Sequence, residues 1–342
     1  MVRNAQSPNE ADSTEPALFT PHRWLRGGHV QTVASFLIKR RFHLPAPEER
    51  LVDVAPGVQV LCHCHWQPDR TLPLTVIVVH GLEGSSDSQY MRGIAEKALA
   101  AGMNVIRYNQ RNCGGTDALA PVLYNSGLSN DVAAVARELM ERDRITQLAL
   151  VGFSMGGNIV LKLAGEWGTQ GPPEFRAVAA CCPSMDLAAS ADALHEPANR
   201  LYEWYFLWNL RRRMLHKARL FPGHFNTGRM KGMRSLRDFD DRITAYYCGF
   251  TGADDYYARA AAANVVDRIA VPALILHAAN DPFIRVTAET RRKIAGNPNI
   301  RFVETSDGGH CAFLAVQDGL EDGNWAENQI VQFLKGVCIR ER

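Results

Sequence analysis

From residue 72 onward, short unbroken apolar runs alternate with stretches of helical period, and that alternation permits very few folds. The runs fall at 75–79, 104–108, 147–151, 177–181, 273–277 and 301–304. Helical stretches fall at 90–100, 131–142, 155–166, 287–294 and 325–337. A strand that is apolar along its whole length is buried on both faces, the condition of a strand inside a parallel sheet covered by helices. Right-handed crossovers then give a mostly parallel, doubly wound α/β sheet. Ahead of it, residues 51–54 and 58–66 are extended runs joined by Ala55-Pro56-Gly57, which predicts an N-terminal antiparallel hairpin at one sheet edge.

One stretch breaks the alternation. Residues 187–265 hold no parallel-strand pattern but do hold a long helical segment at 201–220, so a helical cap inserted over the strand ends is expected there. The predicted organisation is a disordered tail over residues 1–18, a sheet core over 19–186 and 266–342, and a cap over 187–265. The tail is assigned on its Ser, Asn, Glu, Asp and Pro content. Lys plus Arg number 38 against 36 for Asp plus Glu, too even a balance to point to nucleic acid. Eight cysteines among 342 residues are too sparse for a disulfide scaffold, and the polar N-terminus lacks the apolar stretch of a secretory signal. With no apolar run of about 18 residues, a cytoplasmic protein is expected.

The strongest local signal is Gly152-Phe153-Ser154-Met155-Gly156-Gly157, between an apolar strand and a helix. This is G-x-S-x-G in the strand–turn–helix context that gives the motif meaning, with small residues allowing the sharp turn that exposes a serine hydroxyl. A serine is a poor nucleophile near neutral pH and needs a base oriented by a carboxylate. His310, in the loop Asp307-Gly308-Gly309-His310 after the last strand, and Asp281, in Ala278-Ala279-Asn280-Asp281-Pro282 after the preceding one, supply both. The order Ser154, Asp281, His310 is the one this architecture imposes on a catalytic triad. Acyl chemistry also needs donors aimed at the developing oxyanion. The N–H of Met155 and that of Leu82, in His80-Gly81-Leu82-Glu83-Gly84, are the expected pair.

Other residues are set against these. His80 is expected to position its loop, His277 to be a satisfied core histidine, Asp186 to be the rival acid and Asp307 a turn residue. Cys62-His63-Cys64-His65 has metal-ligand residue types, but strand alternation puts cysteines and histidines on opposite faces, so no metal site is expected. Gly223-His224-Phe225-Asn226-Thr227-Gly228 lacks the Lys-Ser/Thr of a phosphate loop, and G-x-G-x-x-G and H-E-x-x-H do not occur. No cofactor is expected. Tyr202, Trp204, Tyr205, Phe206 and Trp208 precede Arg211-Arg212-Arg213, Lys217 and Arg219. Such a segment suits either a helix packed on the core with solvated charges or a peripheral contact with an anionic membrane.

Together the motifs resemble the YheT-like, or embryogenesis-associated, branch of the α/β hydrolases. The resemblance is carried in order by Gly28-His29-Val30-Gln31-Thr32, His80-Gly81-Leu82-Glu83-Gly84-Ser85, Arg107-Tyr108-Asn109-Gln110-Arg111-Asn112-Cys113-Gly114-Gly115, the Ser154 motif, Ser235-Leu236-Arg237-Asp238-Phe239-Asp240, Asp281-Pro282-Phe283 and Gly308-Gly309-His310. It implies a triad at Ser154, Asp281 and His310 and an acyl-ester hydrolase. Asn112 stands where the family commonly has Gly, and Cys311 where a Val is common. The H-x-x-x-x-D signature of some transferase relatives is absent. The expected function is a cofactor-free serine hydrolase of carboxylic esters with apolar acyl chains, with a small-molecule ester or lipid as substrate. The alternatives are an acyltransferase or ester synthase using the same triad, and a non-catalytic ligand-binding or scaffold protein.

Overall fold

The computed structural model describes residues 18–317 and 322–339, so the predicted tail lies outside the described residues as far as residue 17. Eight strands form one sheet: β1 (Glu48–Ala55), β2 (Val58–His65), β3 (Thr75–Val79), β4 (Asn104–Tyr108), β5 (Leu148–Phe153), β6 (Phe175–Cys181), β7 (Ala273–Ala278) and β8 (Ile300–Thr305). Their order is β1-β2-β4-β3-β5-β6-β7-β8. The β1–β2 hairpin lies at one edge, antiparallel to β4, and every later pairing is parallel. The two central strands show why their sequences are apolar throughout. In β3, Val76 and Val78 enter one core cluster while Ile77 and Val79 enter the cluster on the other face.

Helices cover both faces. α1 (Gly28–Leu37) precedes the sheet; α2 (Gln89–Ala100), α3 (Ser129–Arg142) and α4 (Met155–Trp167) follow β3, β4 and β5 in turn. α2 places Met91 and Ile94 in one core layer, and α3 and α4 place Val132, Val135, Ile159 and Leu163 in the other. Between β6 and β7 the chain is helical: α5 (Leu187–Leu194), α6 (Arg200–Leu220), α7 (Leu236–Phe239), a π-helical turn at Asp240–Thr244, α8 (Ala245–Cys248) and α9 (Ala253–Ala260). α10 (Ala288–Ala295) and α11 (Trp325–Ile339) complete the fold. Leu207, Leu210, Met214, Phe239 and Ile243 form an apolar cluster of their own that reaches the sheet domain through Leu123.

α1 has an inverted pattern that periodicity does not reveal: Gln31 is its buried residue while Val30, Val33, Phe36 and Leu37 are exposed. The cationic stretch on α6 is not a solvated face throughout. Arg213 pairs with Glu83 and Asp117, and buried Lys217 donates to Asn112 Oδ1 and to the carbonyls of Asp117 and Ala120. Asn112 has φ 65°. Asn tolerates that left-handed backbone, and its side chain gives α6 an anchor that Gly lacks.

Candidate active site

The strand–turn–helix at Ser154 sits at the carboxyl end of β5. Ser154 itself has φ 54° and ψ −119°, a conformation that costs on the order of 1–3 kcal/mol and persists only where packing enforces it. The packing is tight: a Cβ on Gly156 would stand 2.2 Å from the Val79 carbonyl oxygen, and one on Gly152 would stand 2.3 Å from that of Gly156. Only glycine lets α4 start this close to β3 and β5.

His310 Nε2 lies 2.9 Å from Ser154 Oγ, and His310 Nδ1 lies 2.8 Å from Asp281 Oδ2. The three side chains, far apart in sequence, thus form one hydrogen-bonded chain. Asp281 is buried, and its other oxygen accepts from the amides of Phe283 (3.1 Å) and Ile284 (2.9 Å). Burial pushes its carboxyl up, but the facing imidazole and the Ile284 amide outweigh it and hold the group below its usual range. A carboxylate at Oδ2 fixes the proton of His310 on Nδ1 and leaves the Nε2 lone pair toward the serine hydroxyl. Phe283 covers the imidazole, with ring centroids 4.4 Å apart.

The loop after β3 is held just as firmly. Gly81 N donates to Tyr90 Oη (3.0 Å), and Glu83 N donates to Tyr124 Oη (3.1 Å). His80 is fully buried; the Gln110 amide donates to its Nε2, so its Nδ1–H donates to the Gly81 carbonyl at 2.7 Å. Burial lowers its pKa to about 4, which keeps it neutral and in this positioning part. Leu82 N–H has no hydrogen-bond partner among the described residues, and Met155 N–H, at the first position of α4, has no intrahelical acceptor. Both residues line the cavity that Ser154 opens into.

That cavity encloses about 950 Å³ of space when its solvent-open mouth is counted. Its walls are mainly apolar, with Leu123, Leu187, Leu210, Met214 and Phe239 among them, so α5 to α7 supply much of the lining. Asp240, buried on the π-helical turn, is a polar exception, accepting from Thr244 Oγ1 (2.7 Å) and Tyr257 Oη (2.8 Å).

The rival residues go elsewhere. Asp186 accepts from Thr287 N, Thr287 Oγ1 and Thr290 Oγ1, fastening the start of α10. Asp307 accepts from the amides of Gly27 and Gly308 and from Asn280. His277 is buried as expected but is not satisfied, since its Nδ1 has no partner among the described residues. Phe302 stacks on its ring. Cys62 and Cys64 enter the core, while His63 reaches Ser86 and His65 accepts from Arg107.

Several residues around the site carry no chemical signature in the sequence. Thr32 Oγ1 accepts from His310 N at 2.9 Å and donates to Gly28 O, and Gln31 bridges the chain at Leu314 through both its amide oxygen and nitrogen. A Cβ on Gly28 would stand 1.9 Å from the Asn280 carbonyl oxygen. The Gly28-to-Thr32 stretch therefore clamps the loops that carry Asp281 and His310. The one available signal was the motif itself, which marked the stretch without saying what it held.

Comparison with known proteins agrees with this architecture. Residues 75–315 match the family model described as alpha/beta hydrolase fold. The chain is 31% identical over 335 residues to the Escherichia coli (strain K12) protein named "Putative esterase YheT", covering 95% of each chain. It is 25% identical to the human monoacylglycerol lipase ABHD2 over 94% of this chain and 80% of that one. Among solved structures, the Pyrococcus furiosus esterase Pf2001 superposes with a TM-score of 0.57 at 16% identity, over 87% of this chain and 99% of its own, a likeness of fold. Sheet order, Ser154 turn and these relatives lead to one conclusion: the chain belongs to the α/β-hydrolase superfamily, in its YheT-like branch.

Proposed function

We propose that the protein is a serine hydrolase that cleaves carboxylic esters with apolar acyl chains through an acyl-enzyme. The observation that carries this reading is the continuous Ser154–His310–Asp281 relay opening into an apolar cavity. Ser154 Oγ attacks the ester carbonyl while His310 Nε2 takes its proton, and Asp281 holds the imidazolium so formed. The amides of Leu82 and Met155 stabilise the tetrahedral oxyanion. His310 then gives the proton to the departing alcohol, and water, activated in the same way, releases the acid. The esterase and lipase names of relatives support ester substrates. Exposed Leu201, Trp204 and Trp208 on α6, with Phe36 on α1 against Tyr205, further support delivery of substrate from a lipid surface.

The test is hydrolysis of p-nitrophenyl esters of graded acyl length by wild type and Ser154→Ala. Wild type turns them over with a preference that rises with chain length until the cavity is filled, and the variant loses at least about 10³-fold in kcat/KM. A variant within tenfold of wild type contradicts the assignment.

A further inference from the structure

Gly84 N donates to the Gly81 carbonyl at 3.1 Å, which makes Gly81 to Gly84 a tight turn with Glu83 as its third residue. Glu83 has φ 56°. A left-handed backbone at that place calls for Gly or Asn, and a Glu side chain gains nothing locally from it. What the side chain gains is remote. Arg213 of α6 donates from Nε to Oε1 (2.8 Å) and from Nη2 to Oε2 (3.1 Å). Tyr124 Oη donates to Oε1 (2.6 Å) while accepting from Glu83 N (3.1 Å), so the carboxylate and its own amide are held together. The carboxylate and guanidinium side chains are 8% and 16% exposed, and a planar fork shielded from water fixes direction as well as distance. The same turn packs on the nucleophile: a Cβ on Gly81 would stand 3.1 Å from the Cβ of Ser154.

We propose that Glu83 and Arg213 are positioning residues for ester hydrolysis: through their forked ion pair, α6 holds the turn in the conformation that aims the Leu82 amide at the oxyanion. The proposal deepens the hydrolase reading and rests on Leu82 as an oxyanion donor. The cavity wall includes Leu82 and Arg213 but not Glu83, so Glu83 reaches a bound substrate only through the turn. Lys217, one helical turn further along α6, supplies a contrast. It anchors the same helix to Asn112 Oδ1 and to the carbonyls of Asp117 and Ala120, outside the turn. Removing Lys217 therefore weakens the fastening of α6 while the Arg213 fork stays on Glu83, which separates docking of the helix from aiming of the amide.

A whole oxyanion donor is worth about 10²–10³ in kcat, and a misaimed one loses part of that. The experiment uses the full-length protein, each variant below its melting transition, with p-nitrophenyl octanoate as substrate. A long-chain alkyl trifluoromethyl ketone, whose adduct with Ser154 carries the same oxyanion, serves as the transition-state probe. Glu83→Gln and Arg213→Met each lower kcat by about tenfold to a hundredfold, with KM for Glu83→Gln within about threefold, and weaken the ketone by the same factor as kcat/KM. The double variant loses no more than the worse single one, the non-additivity of a shared contact. Lys217→Met melts at lower temperature yet keeps kcat within about twofold. Amide exchange followed by NMR reads the tether without turnover: the N–H at position 83 exchanges at least tenfold faster in Glu83→Gln and Arg213→Met and at the wild-type rate in Lys217→Met. Multiplied losses in the double variant, an effect confined to KM, or kcat lowered as far in Lys217→Met as in Arg213→Met would overturn the proposal. Wild type that turns over no ester, with the exchange rates changed as expected, would instead sink the hydrolase reading, and the proposal with it.

Discussion

Ser154, Asp281 and His310 were legible in the sequence because each follows a strand and carries its own local mark: G-x-S-x-G, Asp-Pro, and Gly-Gly-His. What the sequence could not reveal is how the His310 imidazole is aimed. Thr32 is an ordinary residue on a stretch with no chemical signature, yet its hydroxyl accepts the amide of His310. Thr32→Val keeps the shape and removes that acceptor, leaving a backbone donor unpaired at a cost of about 1–3 kcal/mol. We expect kcat to fall by about five- to tenfold, with KM nearly unchanged and with Thr32→Ser restoring activity, as read in steady-state kinetics. A fall in KM-dependent terms alone would mean that Thr32 serves the pocket and not the imidazole. His277 shows the opposite limit: its burial could be read from the apolar run around it, but the pairing of its Nδ1 could not.

At the level of helices and strands, the sheet was readable because burial on both faces leaves runs such as that of β3 with no polar alternation. α1 was not, since it exposes its apolar side and buries a glutamine. The π-helical turn after α7 was equally invisible, as it depends on how Asp240 meets Thr244 and Tyr257 in space. Burial raises the Asp240 carboxyl to about 6, its two hydroxyl donors opposing the shift only in part. The unfolded chain, with an ordinary carboxyl near 3.9, binds fewer protons than the folded one between about pH 4 and 6. This group therefore makes the folded state less stable as pH rises through that window. Asp240→Asn removes the effect: the variant's Tm relative to wild type increases from about pH 4 to 6 and is constant above. A difference that is flat across the window would show that Asp240 titrates normally.

Across the whole molecule, the segment between β6 and β7 walls the cavity into which Ser154 opens. Its helices supply much of the apolar lining, while Arg213 and Lys217 tie α6 down to Glu83 and to the chain around Asn112. Those two cations are spent inward, so attraction to an anionic membrane is weaker than their number in the sequence implies. The proposed approach to a lipid surface then rests on exposed side chains such as Trp204 and Phe36, 65% and 66% accessible. In liposome flotation we expect binding that survives high salt, since apolar insertion is not screened as ion pairing is, and that is lost in Trp204→Ser/Trp208→Ser. Absence of binding at low salt would remove the membrane from the account. Among the described residues no helix is long and apolar enough to cross a bilayer.

The central claim is that Ser154 is made nucleophilic by His310. It is tested most directly by treating the protein with a fluorophosphonate and mapping the adduct by peptide mass spectrometry. The account predicts one phosphonylated residue, Ser154, in wild type, no adduct in Ser154→Ala, and labelling slowed at least a hundredfold in His310→Ala. Stoichiometric labelling of Ser154→Ala at another residue, or undiminished labelling without His310, would contradict it.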